Sequence, residues 1–271
     1  MTLLSAHQPC YLPWLGFWNK VLRSDIFVIL DDVQFEKGSY INRTKIKTAQ
    51  GEHWLTIPVP RYSYKKNISE IEIKDMSWVM NHYDTILHNY KKAECFTESG
   101  LVGIMNGYDR IHSIPPTDIS ELYDHVCSSS FEEYPYDWDE TIGDYRPRYT
   151  SPWEYEMYEF YEKEDEAEDK IFYQSDSRIT GNKQGLIINL CHHYNADAFL
   201  FGAKGRDYVD VHYFEAHGIT PLFQDFKCIE YPQQWGGAFV PGLSIIDALF
   251  NVGPKKTMDL IKGGYDIPKK Y

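Results

Sequence analysis

Two apolar runs separated by one amphipathic stretch open the chain. Thr2 to Ala6 is short and apolar, which predicts a buried strand, and it empties into His7-Gln8-Pro9-Cys10-Tyr11-Leu12-Pro13, a loop stiffened by Pro9 and Pro13. From Trp14 to Arg23 the apolar positions Trp14, Leu15, Phe17, Trp18, Val21 and Leu22 recur at helical spacing, and 25–30 is again continuous. Strand, loop, helix and strand within about thirty residues predict a βαβ unit and hence a parallel sheet.

Beyond this unit, 54–59 and the alternating 68–73 read as short strands, with the basic stretch 61–66 between them. Helices are predicted at 78–93, with Ser77 as N-cap, and at 118–128, with Thr117 as N-cap. A second βαβ-like series follows: a helix at 182–194, a strand at 198–201, a helix at 209–216, a strand at 220–226 and a closing helix from about Ser244 to Phe250. The expected organisation is an α/β core over 1–75 and 175–255, a mainly helical and acidic insertion over 76–174, and a C-terminal tail over 256–271. The expected fold class is α/β with a mainly parallel, Rossmann-like sheet.

Composition sharpens this picture in one place. The chain carries a net charge of -13, but 131–169 alone holds fifteen Asp and Glu against three Lys and Arg, so the remainder is close to neutral. A solvated loop or an acidic lid would each explain that segment. The absence of a concentrated basic surface argues against a nucleic-acid partner. Aromatic residues make up 16%, with 22 Tyr and 7 Trp, suiting either a Tyr-rich core or a pocket that stacks sugar-like rings. Five scattered cysteines without a CxxC pair, a start that reaches His7 too soon for a signal peptide, and no run of eighteen apolar residues predict a cytoplasmic protein without membrane insertion.

Four constellations could carry chemistry. The His7 loop follows a strand, where open parallel sheets bind ligands, and His7 suits acid–base work or anion binding there, with Gln8, Tyr11 and Trp14 beside the ligand. A histidine simply hydrogen-bonded within a Pro-rich turn is the competing reading. Asp31 and Asp32, with Gln34, end the second apolar run and so fall at the same sheet edge. One of them could act as a base, or Asp32 could anchor Mg²⁺ together with a nucleotide phosphate. A strand-ending acidic turn would look the same. Asn42 and Arg43 could read hydroxyls and clamp a phosphate or carboxylate, or could lie on a charged surface strand. Gly202, Lys204, Gly205 and Tyr208 form a glycine turn between a strand and a helix, where backbone can approach an anion; Arg178 offers a further contact. Cys10 is a candidate nucleophile or an inert small hydrophobe. His192 and His193, about 100° apart on a helix, do not suit one metal. HExxH, zinc CxxC and GxSxG motifs are all missing.

Several of these pieces together resemble the WbqC-like family: His7-Gln8-Pro9 with Pro13-Trp14-Leu15-Gly16, Asp31-Asp32-Val33-Gln34-Phe35, Ile41-Asn42-Arg43, Gln224-Asp225-Phe226 and 243–253. That resemblance implies a role in O-antigen or other bacterial surface-glycan pathways and supplies no mechanism. The opening strand, His loop, helix and second strand also resemble the nucleotidylyl transferases, with Trp14-Leu15-Gly16-Phe17 where that fold carries a Gly and a second His. The function expected is a group transferase, or an amide-forming ligase, that modifies an activated or amino sugar at the expense of a nucleotide. Open alternatives are a non-catalytic module binding a sugar nucleotide or a partner enzyme, and an acyltransferase using a carrier thioester at Cys10 or His7. The expected partner is a small sugar or nucleotide sugar, and a homo-oligomer remains open.

Overall fold

The fold was obtained as a computed structural model that describes residues 1–109, 136–139, 144–147 and 170–263. Five strands form one sheet: β1 (Leu3–His7), β2 (Ile26–Ile29), β7 (Ile171–Tyr173), β8 (Ala198–Phe201) and β9 (Thr220–Phe223), in the spatial order β7-β2-β1-β8-β9. Every pairing is parallel, with Leu4 opposite Ile26 on one side and Phe199 on the other. Numbered by chain order within the sheet, this is the 3-2-1-4-5 order of a Rossmann-like sheet. The protein is therefore a mixed α/β molecule built on a mainly parallel sheet.

Alternate residues of each strand serve opposite faces. On β2, Phe27 and Ile29 join the cluster under α1 (Leu15–Arg23), while Val28 joins the opposite cluster with Leu4, Ala6, Phe199 and Phe201. That second face is covered by α5 (Gln184–His193) and α6 (Val211–Ala216), through Leu186, Leu190 and Phe214. Both faces being dry explains why the strands read as continuous apolar runs rather than alternations.

The first face is thicker. There α1 packs on α7 (Ile245–Gly263), with Asn19 Nδ2 donating to the Ile261 carbonyl at 2.9 Å. Beside them lie α2 (Ser77–Tyr90) and α3 (Glu98–Asp109), whose Ile86, Tyr90, Leu101 and Ile104 share the same cluster. An antiparallel hairpin of β3 (Arg43–Thr48) and β4 (Gly51–Thr56) completes this side. A second hairpin, β5 (Tyr136–Asp139) with β6 (Asp144–Pro147), lies within the acidic stretch, and α4 (Gln174–Ser177) is a single turn after β7.

Several expectations change. The stretch 68–73 is no strand: Ile68–Glu70 is a 3₁₀ turn closed by a capping box of Asn67 and Glu70, because Ile68 and Ile71, three apart, fall together against Phe35 and Ile41. Helix α2 begins at Ser77 itself, with Asp75 Oδ1 accepting from the Ser77 amide at 2.9 Å. The closing helix continues past 250 through a kink at Gly253 (φ 80°) and Pro254, and buries Leu260 and Ile261. The strand at 171–173 and helix α3 were not anticipated. The helix expected at 118–128, and most of the acidic segment 131–169, lie outside the described residues. Among the described residues no helix is long and apolar enough to cross a membrane.

Candidate functional site

Strands β1 and β8 are neighbours, yet the chain leaves them in opposite directions, to α1 and β2 on one side and to α6 and β9 on the other. Connections that part in this way leave a crevice at the carboxyl ends of the two strands, the usual ligand position in open α/β sheets. A cavity of about 1190 Å³ occupies that place. It is lined by Ala6 and His7 at the end of β1 and Gln8 just after it, and by Phe201 at the end of β8 with Gly202 and Gly205 after it. Trp14, Phe17, Tyr40 and Phe226 supply aromatic walls.

The His7 loop and the glycine turn therefore meet in one cavity. Gly205 packs so tightly that a Cβ there would lie 2.6 Å from Phe201 Cβ and 3.1 Å from the Phe223 ring, which brings the turn's backbone down onto the strand ends. Lys204 and Tyr208 line the same turn, Tyr208 with 63% of its surface exposed at the rim.

His7 is held edge-on by Trp14 and Phe17, with ring centroids 5.9 and 5.2 Å away. Its Nδ1 lies 2.8 Å from the Gln8 carbonyl, which can only accept, so Nδ1 carries the proton and Nε2 presents a lone pair. Burial, and then the nearby Lys20 charge, push its pKa down to about 4. His7 is thus a neutral imidazole near pH 7, suited to accepting a hydrogen bond or a proton rather than donating charge to an anion. Cys10 lies 3.6 Å from His7 Nδ1, and burial pushes its thiol up to about 12, so it is not a thiolate at neutral pH.

The remaining candidates are placed elsewhere. Both carboxylate oxygens of Asp31 accept from Ser175, one from its amide at 2.9 Å and one from its hydroxyl at 2.6 Å, so Asp31 caps the turn after β7. Asp32 Oδ1 accepts from Asn67 Nδ2 at 2.8 Å, and Gln34 donates to the Tyr64 carbonyl at 2.7 Å. The two acids are thus engaged with different partners and do not present a shared pair of oxygens to Mg²⁺. Among the described residues no group of three His, Cys, Asp or Glu side chains could hold a metal. Tyr11 is buried and its hydroxyl meets His82 Nδ1 at 2.9 Å. Asn42 Nδ2 donates to the Ile57 carbonyl at 2.8 Å, and Arg43 lies 4.0 Å over the Trp54 ring while donating to the Gly38 carbonyl. Arg178 is an exposed, left-handed residue at the end of α4. None of these seven residues lines the cavity.

Other lining residues were not among the ligand contacts expected from the sequence. Gln224 is buried and donates from Nε2 to the Gly16 carbonyl and to Asn19 Oδ1, both at 2.8 Å, fixing α1 over β9. Lys183 (φ 51°) and Gln184 reach the cavity from the start of α5, and Glu36 and Tyr40 from the loop before β3. Lys20, 5% exposed, donates from Nζ to the Ala6 carbonyl at 2.6 Å, and burial brings its pKa down to about 7, the Cys10 thiol opposing the shift. A legible signal existed for Lys20: it stands three residues after Phe17 on the buried stripe of α1, between Trp18 and Val21. Among the described residues, Lys183 and Lys204 line the cavity with Glu36 as the one acid, and Lys20 lies buried beside them, so basic side chains are in excess there.

No solved structure matches the chain at a significant level. Over 255 residues the chain is 29% identical to a protein of Mycobacterium tuberculosis described as the uncharacterized protein Rv1507c, covering 93% of this chain and 95% of that relative. The family model of the WbqC-like protein family matches residues 8–134 and 128–259, and the chain belongs to that family.

Proposed function

We propose that the protein is a group transferase of bacterial surface-polysaccharide assembly that receives a phosphate-activated sugar in the crevice between β1 and β8 and transfers a group to or from it. The observation that carries this reading is the lining of that crevice, where among the described residues Lys183 and Lys204 outnumber the acid Glu36. Phosphate is the anion such a site suits: Gly202 and Gly205 allow close backbone approach, and Lys204 adds charge beside them. Trp14, Phe17 and Tyr40 offer faces for a sugar ring. Membership of the WbqC-like family supports the surface-glycan setting, and a histidine ending the first strand of a 3-2-1-4-5 sheet supports kinship with nucleotidylyl transferases. A carrier-thioester mechanism on Cys10 is disfavoured by a thiol held up near 12.

The test is thermal denaturation of the full chain with nucleotides, sugar phosphates and nucleotide sugars. A ligand that binds the folded form raises the melting temperature, and Lys204→Glu should abolish the rise while leaving the unliganded transition in place. No shift with any member of the three classes would overturn the reading.

A further inference from the structure

We infer that the amine of Lys20 is the proton acceptor of this crevice, a free base reached through the cavity that deprotonates the incoming hydroxyl or amine during transfer. The inference rests on the transferase reading of the site.

The geometry is that of a working amine rather than a structural cation. Lys20 is almost wholly buried on α1, yet it lines the cavity. A buried lysine that serves the fold is normally matched by a carboxylate. Among the described residues no ion pair includes Lys20. One N–H meets the Ala6 carbonyl, immediately before His7, so a neutral amine keeps a second N–H and its lone pair for the cavity. The titratable groups facing it from β1 and the following loop are His7 and Cys10, both uncharged near neutral pH. Around the rest of the cavity stand Glu36, Lys183 and Lys204. Desolvated lysines are the ones that act as bases or nucleophiles, and a base whose pKa falls near 7 outperforms one near 4, which selects Lys20 over His7.

The step balances with a donor whose transferred carbon is bonded to a phosphate oxygen. The acceptor's oxygen or nitrogen forms a bond to that carbon as the carbon–oxygen bond to phosphate breaks. The electron pair leaves on the phosphate, beside Lys204 and the glycine turn. The acceptor's proton moves to Lys20 Nζ, which then returns it to solvent.

Reductive methylation of the intact protein with formaldehyde and cyanoborohydride, read by peptide mass mapping, tests this without a known substrate. Near neutral pH Lys20 should react at least about tenfold faster than the exposed Lys65 and Lys91, and its rate should fall on acidification through about pH 7. A nucleotide sugar that raises the melting temperature should protect Lys20. Lys20 reacting no faster than Lys65 and Lys91, or only after unfolding, would overturn the inference. If Lys20 reacts as expected but no nucleotide, sugar phosphate or nucleotide sugar binds, the transferase reading fails while the free amine stands.

Discussion

Tyr90 Oη donates to Asp247 Oδ1 at 2.7 Å and so ties α2 to α7 through the core. Tyr231 Oη holds the other carboxylate oxygen at 2.8 Å, and the Lys47 amide donates to Tyr90 Oη at 3.0 Å. Burial raises the Asp247 carboxyl above its ordinary range, and the two hydroxyl donors oppose that shift. Tyr90→Phe keeps the ring but leaves a carboxylate oxygen and a backbone N–H short of a partner, which costs about 1–3 kcal/mol. Urea unfolding should show the loss as a lower midpoint with an unchanged slope. An unaltered midpoint would mean that water replaces the hydroxyl.

Asp31 tests whether the acid pair serves the fold or the chemistry. With both oxygens on Ser175, Asp31→Ala should cost the fold about 0.5–2 kcal/mol, the usual loss on removing such a cap. Binding of a nucleotide sugar, followed by its thermal shift, should survive the change. Complete loss of turnover in a variant that still folds would return Asp31 to the catalytic machinery.

Asp31 and Lys20 also show which features of the site the sequence leaves hidden. Periodicity identified β1, α1, β2, β8 and β9, because strands dry on both faces and a helix with one dry stripe leave unmistakable patterns. It also brought His7 and Gly202 to one sheet edge, since in parallel sheets every strand of the βαβ series ends on the same side. Position at that edge does not decide which way a side chain turns. Asp31 turns to Ser175, 144 residues away, and nothing local announces that partner. Lys20 was passed over for the opposite reason: a lysine on a predicted helix is ordinarily read as solvated, although its place three residues after Phe17 puts it on the buried stripe of α1. The three apolar residues of β7 were lost beside the acidic run that precedes them.

Gly205 sets the height of the glycine turn above the sheet. A methyl group there meets Phe201 and Phe223, both in the core, so Gly205→Ala should destabilise the fold by about 1–3 kcal/mol, the range for overpacking. The displaced turn should also weaken binding of any phosphate-bearing ligand, seen as a smaller ligand-induced rise in melting temperature. By contrast, Gly202→Ala meets nothing within 4 Å and should leave stability near that of the parent. Equal effects at the two glycines would deny the close packing its role.

The buried amine of Lys20 makes stability depend on pH in a direction that can be stated in advance. Its pKa is about 7 in the folded state against 10.5 for a free lysine, so between these values the unfolded chain holds a proton that the folded chain lacks. Stability contributed at this site is complete above about pH 10.5, falls as pH drops through that window, and levels off below about pH 7. Lys20→Met fills similar space with a flexible apolar chain and removes the titration. The stability of the variant relative to the parent should therefore be greatest near pH 7 and should shrink by up to about 3 kcal/mol towards pH 9.5. Urea unfolding of both proteins at the two pH values measures that difference. A gap that stays constant or widens with pH would show that Lys20 remains charged in the folded protein, and the same group that weakens the fold would then be unavailable as a base.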